Sequence, residues 1–180
     1  MSKKANQVRI WTIGHSTRSL DEFVALLGAN GITGLADVRT IPRSRRHPHF
    51  SRETFDRHLE DHAIRYRHFP GLGGLRKPRP DSTNTGWRNM SFRGYADHMQ
   101  TAEFAAAIEE LLTFGAATHA ALMCAEAVWW QCHRMLIADA LVARDVDVKH
   151  IMSQRGASTL QPHRLTPFAR LDPPRVWYPA

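Results

Sequence analysis

Five short apolar runs punctuate the chain, at Val8–Ile13, Ile32–Val38, Ile64–Phe69, Ala120–Ala125 and Val146–Ile151, and every gap between them holds a stretch of helical spacing. Runs of five to seven residues rich in Val, Ile and aromatic side chains read as buried strands, while the gaps are too long for hairpins. Strands that alternate with helices pair in parallel through right-handed crossovers, and the sheet that results must be covered on both faces. The expected fold is therefore α/β, a single doubly wound, mainly parallel five-stranded sheet of the Rossmann-like or flavodoxin-like kind. A partial β/α barrel is the second solution.

The 180 residues suit one α/β domain with a full hydrophobic core. Residues 1–7 read as a flexible N-terminus, 75–92 as a long loop and 152–180 as a polar, proline-containing C-terminal extension. The first helix has a clear start, because Ser19 followed by Glu22 is a capping box, and Leu20, Phe23, Val24, Leu26 and Leu27 then keep helical spacing up to Asn30-Gly31. Further helices are expected over Ser51–His62, Gly94–Phe114 and from Cys132 through Leu141. Loops as long as 75–92 inside a compact domain are usually binding loops or lids.

No apolar run is long enough to span a membrane, and the first residues, Met1-Ser2-Lys3-Lys4-Ala5-Asn6-Gln7, are polar with no secretory core behind them. Two cysteines make neither a disulfide framework nor a four-ligand zinc site. A cytoplasmic protein with no membrane partner is expected. Lysine and arginine number 24 against 17 acidic residues, for a formal net charge of +7. The excess is concentrated between Arg39 and Arg79, where eleven basic residues stand against four acidic ones among five histidines. Such a patch attracts phosphates, on nucleic acid or on a small molecule, although a merely solvated basic face has the same composition.

The chemistry gathers where strands end. Ligands of doubly wound sheets bind outside the carboxyl ends of the strands, where helix N-termini point their free N–H groups. That edge collects Gly14-His15-Ser16, Asp37 and Arg39 with Arg43 and Ser44 beyond them, Gly73-Gly74, Cys124-Ala125-Glu126, Cys132-His133-Arg134 and His150. Glu126 and Asp37 are candidate acids or bases. Cys132 is the candidate nucleophile, its thiolate favoured by a first helical turn and by His133 and Arg134 beside it. His15, Ser16, Arg39, Arg43, Ser44, Gly73, Gly74 and Arg134 are candidates for holding an anion. Cys124, at the end of an apolar run, reads as core before site, while Cys132 reads as core as readily as site.

Taken together, Thr12-Ile13-Gly14-His15-Ser16, Asp37-Val38-Arg39 with Pro42-Arg43-Ser44, Leu72-Gly73-Gly74, Cys124-Ala125-Glu126 with Cys132-His133-Arg134, and His150-Ile151 resemble the bacterial and archaeal domain-of-unknown-function 488 family. Pro162-His163-Arg164-Leu165-Thr166-Pro167 resembles the family's C-terminal segment and adds His163 as a possible site residue. The resemblance runs from about Ile10 to Ala169. It implies which residues form the site and names no reaction.

Three functions fit these residues. An enzyme acting on a phosphate-bearing substrate, whether nucleotide, nucleoside derivative or nucleic acid, uses the arginines as clamp and the carboxylates as acid and base. A non-catalytic nucleic-acid binder would use the 39–79 patch with Phe50, Tyr66, Phe69 and Trp87 interleaved. A metal or thiol site could be built from His15, Cys124, Glu126, Cys132, His133 and His150, although Cys-x7-Cys is not a recognised ligand spacing, and no metal ligand is assigned from it. The first is the expectation. No P-loop and no GxGxxG fingerprint is present, so no cofactor is assigned.

Overall fold

The computed structural model describes residues 8–154 and 157–180. Residues 1–7, where a flexible N-terminus was expected, lie outside the described residues. Strand β1 (Arg9–Gly14) leads through α1 (Leu20–Ala29) to β2 (Gly34–Asp37), and α2 (Arg52–Glu60) connects β2 to β3 (Arg65–His68). Helices α3 (Met90–His98) and α4 (Ala102–Ala117) precede β4 (Ala120–Cys124), and α5 (Arg134–Val142) joins β4 to β5 (Asp147–Gln154). Then come β6 (Ala157–Pro162) and a small hairpin of β7 (Arg170–Asp172) and β8 (Arg175–Trp177).

The main sheet has six strands in the order β3-β2-β4-β1-β5-β6, parallel except for the β5–β6 pair. From β1 the chain moves through β2 to β3 toward one edge, then returns to β4 and passes on to β5 on the far side of β1. Right-handed crossovers put the helices of these two directions on opposite faces. The packing obeys this rule. Phe23, Leu26 and Leu27 of α1 and Phe55 and Leu59 of α2 form one core with Trp11, Ile13, Leu35, Ala121 and Met123, while helices α3 to α5 cover Ile10, Ala36, Ala120, Leu122 and Val148 on the other side. Alternate residues of each strand thus serve opposite cores, and continuous apolar runs result. Connections leaving β1 and β4, which are neighbours, go to opposite faces, so the crevice of the sheet opens between their carboxyl ends.

Three expectations are corrected. The sheet has a sixth strand, because Ala157–Pro162 pairs antiparallel with β5 over six positions. Its mostly exposed side chains carry no apolar period, so backbone pairing alone makes it a strand. The helix expected over Gly94–Phe114 is two helices. Asn89 caps α3 with its side chain, and Thr101 opens α4 by accepting a hydrogen bond from the Phe104 N–H at 3.2 Å. The C-terminal extension is partly core: Val176 and Tyr178 are buried, and Tyr178 N–H donates to buried Asn84 at 2.9 Å. Asn84 in turn donates to Asp97 at 2.8 Å, which also accepts from Ser82 Oγ at 2.6 Å and from Arg79 N–H at 2.8 Å. This buried network fastens the 75–89 stretch to α3. Among the described residues, no helix is long and apolar enough to cross a membrane.

Candidate functional site

The turn that leaves β1 and the turn that leaves β4 are built on each other. His15 N–H and Ser16 N–H donate to the Cys124 and Ala125 carbonyls, both at 2.9 Å, which carries the β1–β4 ladder past the strand ends. The Glu126–Ala127 peptide then crosses directly over Gly14: a Cβ at position 14 would stand 1.9 Å from the Glu126 carbonyl oxygen. Only glycine fits there. Ser16 follows with a positive φ of 48°, an uncommon conformation for a serine.

Arg134, at the start of α5, is the largest of the fully buried side chains. It donates to the Glu126 carbonyl at 2.6 Å and to Thr12 Oγ1 at 3.4 Å, and its Nε has no partner. Among the described residues no carboxylate lies within ion-pair distance of it. Arg18 approaches the same turn, donating to the Gly14 carbonyl and to Ser153 Oγ, and the charge of Arg134 adds to burial in lowering its pKa. A third guanidinium, Arg39, is paired. Its Nε and Nη2 hold both oxygens of buried Asp37, at 2.9 Å and 2.6 Å, and Tyr66 OH donates to the same carboxylate at 2.6 Å. Arg39 Nη1 is nevertheless buried without a partner.

His15 lies near the Arg39–Asp37 pair, stacked on Phe50 with ring centroids 4.3 Å apart. Its Nδ1–H donates to the Ser16 carbonyl at 3.0 Å, so Nε2 carries the lone pair of the neutral ring, buried and without a partner. Burial, with a lesser contribution from Arg39, lowers its pKa to about 4. Three buried polar atoms, one acceptor and two donors, thus stay unsatisfied beyond the ends of neighbouring strands.

A second group faces the opposite core. His133 Nε2–H donates to the Val38 carbonyl at 2.9 Å, which leaves its Nδ1 unprotonated in the neutral ring. Nδ1 lies 3.7 Å from Cys132 Sγ and 4.0 Å from Cys124 Sγ. Cys132 precedes α5 instead of sitting in its first turn, and its sulfur accepts the Arg134 N–H at 3.5 Å. A hydrogen bond from the Cys124 thiol, then His133 and Arg134, push the Cys132 thiol well down, while the same bond and burial push Cys124 up. Both sulfurs are buried, and Gly74 leaves room for the ring, since a Cβ on it would meet His133 Nδ1 at 3.1 Å.

The remaining expected residues are placed as follows. Glu126 is exposed at the rim, acting within the chain through its carbonyl. Gly73 packs on Thr40, and the Gly74 carbonyl accepts from Thr40 Oγ1 at 2.9 Å. Arg43 is exposed, and Ser44 Oγ accepts from His47 N–H at 3.0 Å to shape its own loop. His150 and His163 stand behind the site in a directed chain. Thr12 Oγ1 donates to His150 Nδ1 at 2.7 Å, His150 Nε2 to His163 Nδ1 at 3.0 Å, and His163 Nε2 to Asp139 Oδ1 at 2.8 Å. Arg134 can only donate and Asp139 accepts from Thr166 N–H and Tyr178 OH, so the direction of every intervening proton is fixed. Trp129, of the bulky turn after β4, stacks on His150 with the rings 4.1 Å apart. Sequence reasoning missed Thr12, Arg18, Asp139 and Tyr178, and read Tyr66 as a stacking aromatic and not as a partner of Asp37. One acid within the apolar run Met135–Leu141 was a readable sign of Asp139's buried role.

The fold is a doubly wound α/β layer, and thiol, imidazole and guanidinium side chains gather at its topological switch point. The chain belongs to the family described as Domain of unknown function DUF488, which matches residues 19–141. That span holds Asp37, Arg39, Gly73, Gly74 and everything from Cys124 to Arg134, whereas His15, Ser16, His150 and His163 lie outside it. No curated protein and no solved structure matches the chain.

Proposed function

We propose that the protein is an enzyme that binds a phosphate-bearing substrate, a nucleotide, nucleoside derivative or nucleic acid, in the crevice between the β1 and β4 carboxyl ends. One observation carries this reading: Arg18, Arg39 and Arg134 all lie at the carboxyl edge of the sheet, among the described residues Asp37 is the one carboxylate paired to any of them, and His15 Nε2, Arg39 Nη1 and Arg134 Nε are buried without partners. Uncompensated buried polar atoms are costly; an anionic, oxygen-rich ligand satisfies the two guanidinium donors, and a hydroxyl on it would satisfy the His15 acceptor. Asp37, with both oxygens engaged, orients Arg39, while Glu126 at the rim is free to act as acid or base. Cys132 and His133 supply the reactive groups beside Arg134.

The basic 39–79 patch gives the binding-module reading less support. The concavity of about 630 Å³ along α2 and β3 sets Arg52, Arg57 and Arg65 against Glu53, Asp56 and Glu60, so its charge is balanced. Exposed Arg65 and Arg67 also lie on an edge strand, where charge keeps other chains from pairing.

Thermal-shift titration with inorganic phosphate, nucleotides, nucleosides and short oligonucleotides tests the proposal on wild type, Arg39→Lys and Glu126→Gln. A ligand at about a hundred times its Kd stabilises the native state by about 2.7 kcal/mol. A small phosphate compound is expected to raise the wild-type Tm, with the gain lost in Arg39→Lys and kept in Glu126→Gln. Stabilisation by oligonucleotides alone, steeply salt-dependent and indifferent to Arg39→Lys, overturns the enzyme reading in favour of the binder.

A further inference from the structure

We propose that Cys124, Cys132 and His133 bind a thiophilic transition-metal ion, zinc before others, with the fourth coordination position left to water or substrate. Their donor atoms all lie within 4.8 Å of one another, with Nδ1 at 3.7 Å and 4.0 Å from the two sulfurs. A tetrahedral zinc with Zn–S near 2.3 Å and Zn–N near 2.0 Å spaces its ligand atoms about 3.5–3.8 Å apart, so small side-chain movements suffice to close the three donors on one ion.

The surroundings have the features that metal ligands require. His133 donates its far N–H to the Val38 carbonyl, which fixes the ring and the tautomer with Nδ1 toward the sulfurs, as the outer hydrogen bond of a ligating histidine does. The Arg134 amide donates to Cys132 Sγ, and the Tyr95 ring, 5.0 Å from that of His133, walls the group on another side. The donors are held by elements that do not depend on an ion: Cys124 ends a central strand whose carbonyl is bonded to His15, and Cys132 and His133 lead into α5. The spacing of Cys124 and Cys132 hides the site in the sequence because the turn between them folds back over Gly14.

Two sulfurs and one imidazole select zinc and its neighbours over magnesium or calcium, which take oxygen ligands. Among the described residues no fourth histidine, cysteine or carboxylate joins the group. Three protein ligands with an open position is the pattern of catalytic zinc, whereas structural zinc is closed by four.

The metal content of reduced wild-type protein tests the site, together with cobalt substitution and thiol labelling. About one equivalent of zinc per chain, sulfur-to-cobalt charge-transfer bands with the intense visible bands of tetrahedral cobalt, and a binding loss of tenfold or more in Cys132→Ser or His133→Ala are expected. Should those variants fail to fold, wild type suffices. The chain has only two cysteines, both buried, so in urea just below the unfolding midpoint, where the fold opens transiently, zinc should slow their reaction with a thiol reagent and a chelator should restore it. Protein that takes up no zinc or cobalt, metal bound without sulfur bands, or thiols labelled equally with and without zinc overturns the proposal. Failure of the phosphate reading shows separately, as absence of an anion-dependent Tm shift.

Discussion

Gly14 shows at the residue scale how little freedom the site has. A methyl group there collides with the Glu126 carbonyl at 1.9 Å, and that carbonyl is also the acceptor for Arg134. Gly14→Ala is therefore expected to cost about 3 kcal/mol or more, at the upper end of overpacking, because backbone and not a flexible side chain must yield. Urea unfolding measures it; a loss under 1 kcal/mol would mean that the turn after β4 is free to move. The buried histidines make a second claim. Unfolded, each imidazole titrates near its ordinary 6.5, but burial lowers His15 to about 4, and burial with the charge of Arg134 lowers His150 to about 3. Between those values and 6.5 the unfolded chain binds more protons, so their contribution is complete above pH 6.5 and is lost as pH falls toward 4. Each histidine contributes up to about 1.4 kcal/mol per pH unit in that window. A urea midpoint that drops from pH 7 to pH 5, with two imidazole NMR signals still neutral at pH 5, is the expected outcome; ordinary titration of all eleven histidines would contradict it.

Among the elements, α5 is buried from Arg134 to Leu141, so its polar residues must find partners within the fold. Arg134 at its start reaches the crevice, and Asp139 near its end closes the chain that runs from Arg134 through Thr12, His150 and His163. Tyr178 secures the far end by donating to Asp139 at 2.8 Å. Tyr178→Phe keeps the ring and removes one donor from a buried carboxylate, so a loss of about 1–3 kcal/mol in the denaturant midpoint is expected. An unchanged midpoint would show that water replaces the hydroxyl.

In the molecule as a whole the sheet separates two cores. Ile13 packs with α1 and α2, and Ile137 belongs to the core on the other face. Each Ile→Val change should cost about 0.5–1.5 kcal/mol, and the double variant should equal the sum to within about 0.5 kcal/mol, since the two residues belong to separate cores. A coupling above 1 kcal/mol would show that strain crosses the sheet.

What the sequence alone determined is whatever depends on neighbours along the chain. The alternation of apolar runs and helical spacing dictated a parallel sheet, Ser19 and Glu22 dictated the start of α1, and the grouping of chemistry at strand ends followed because every parallel strand points the same way. Tertiary structure decided the rest. Strand β6 exists through pairing with β5, Tyr178 enters the core through Asn84 and Asp139, and Cys124 meets Cys132 and His133 because the turn between them folds over Gly14. Such contacts join residues whose own segments carry no sign of each other, and only the packed sheet brings them within reach.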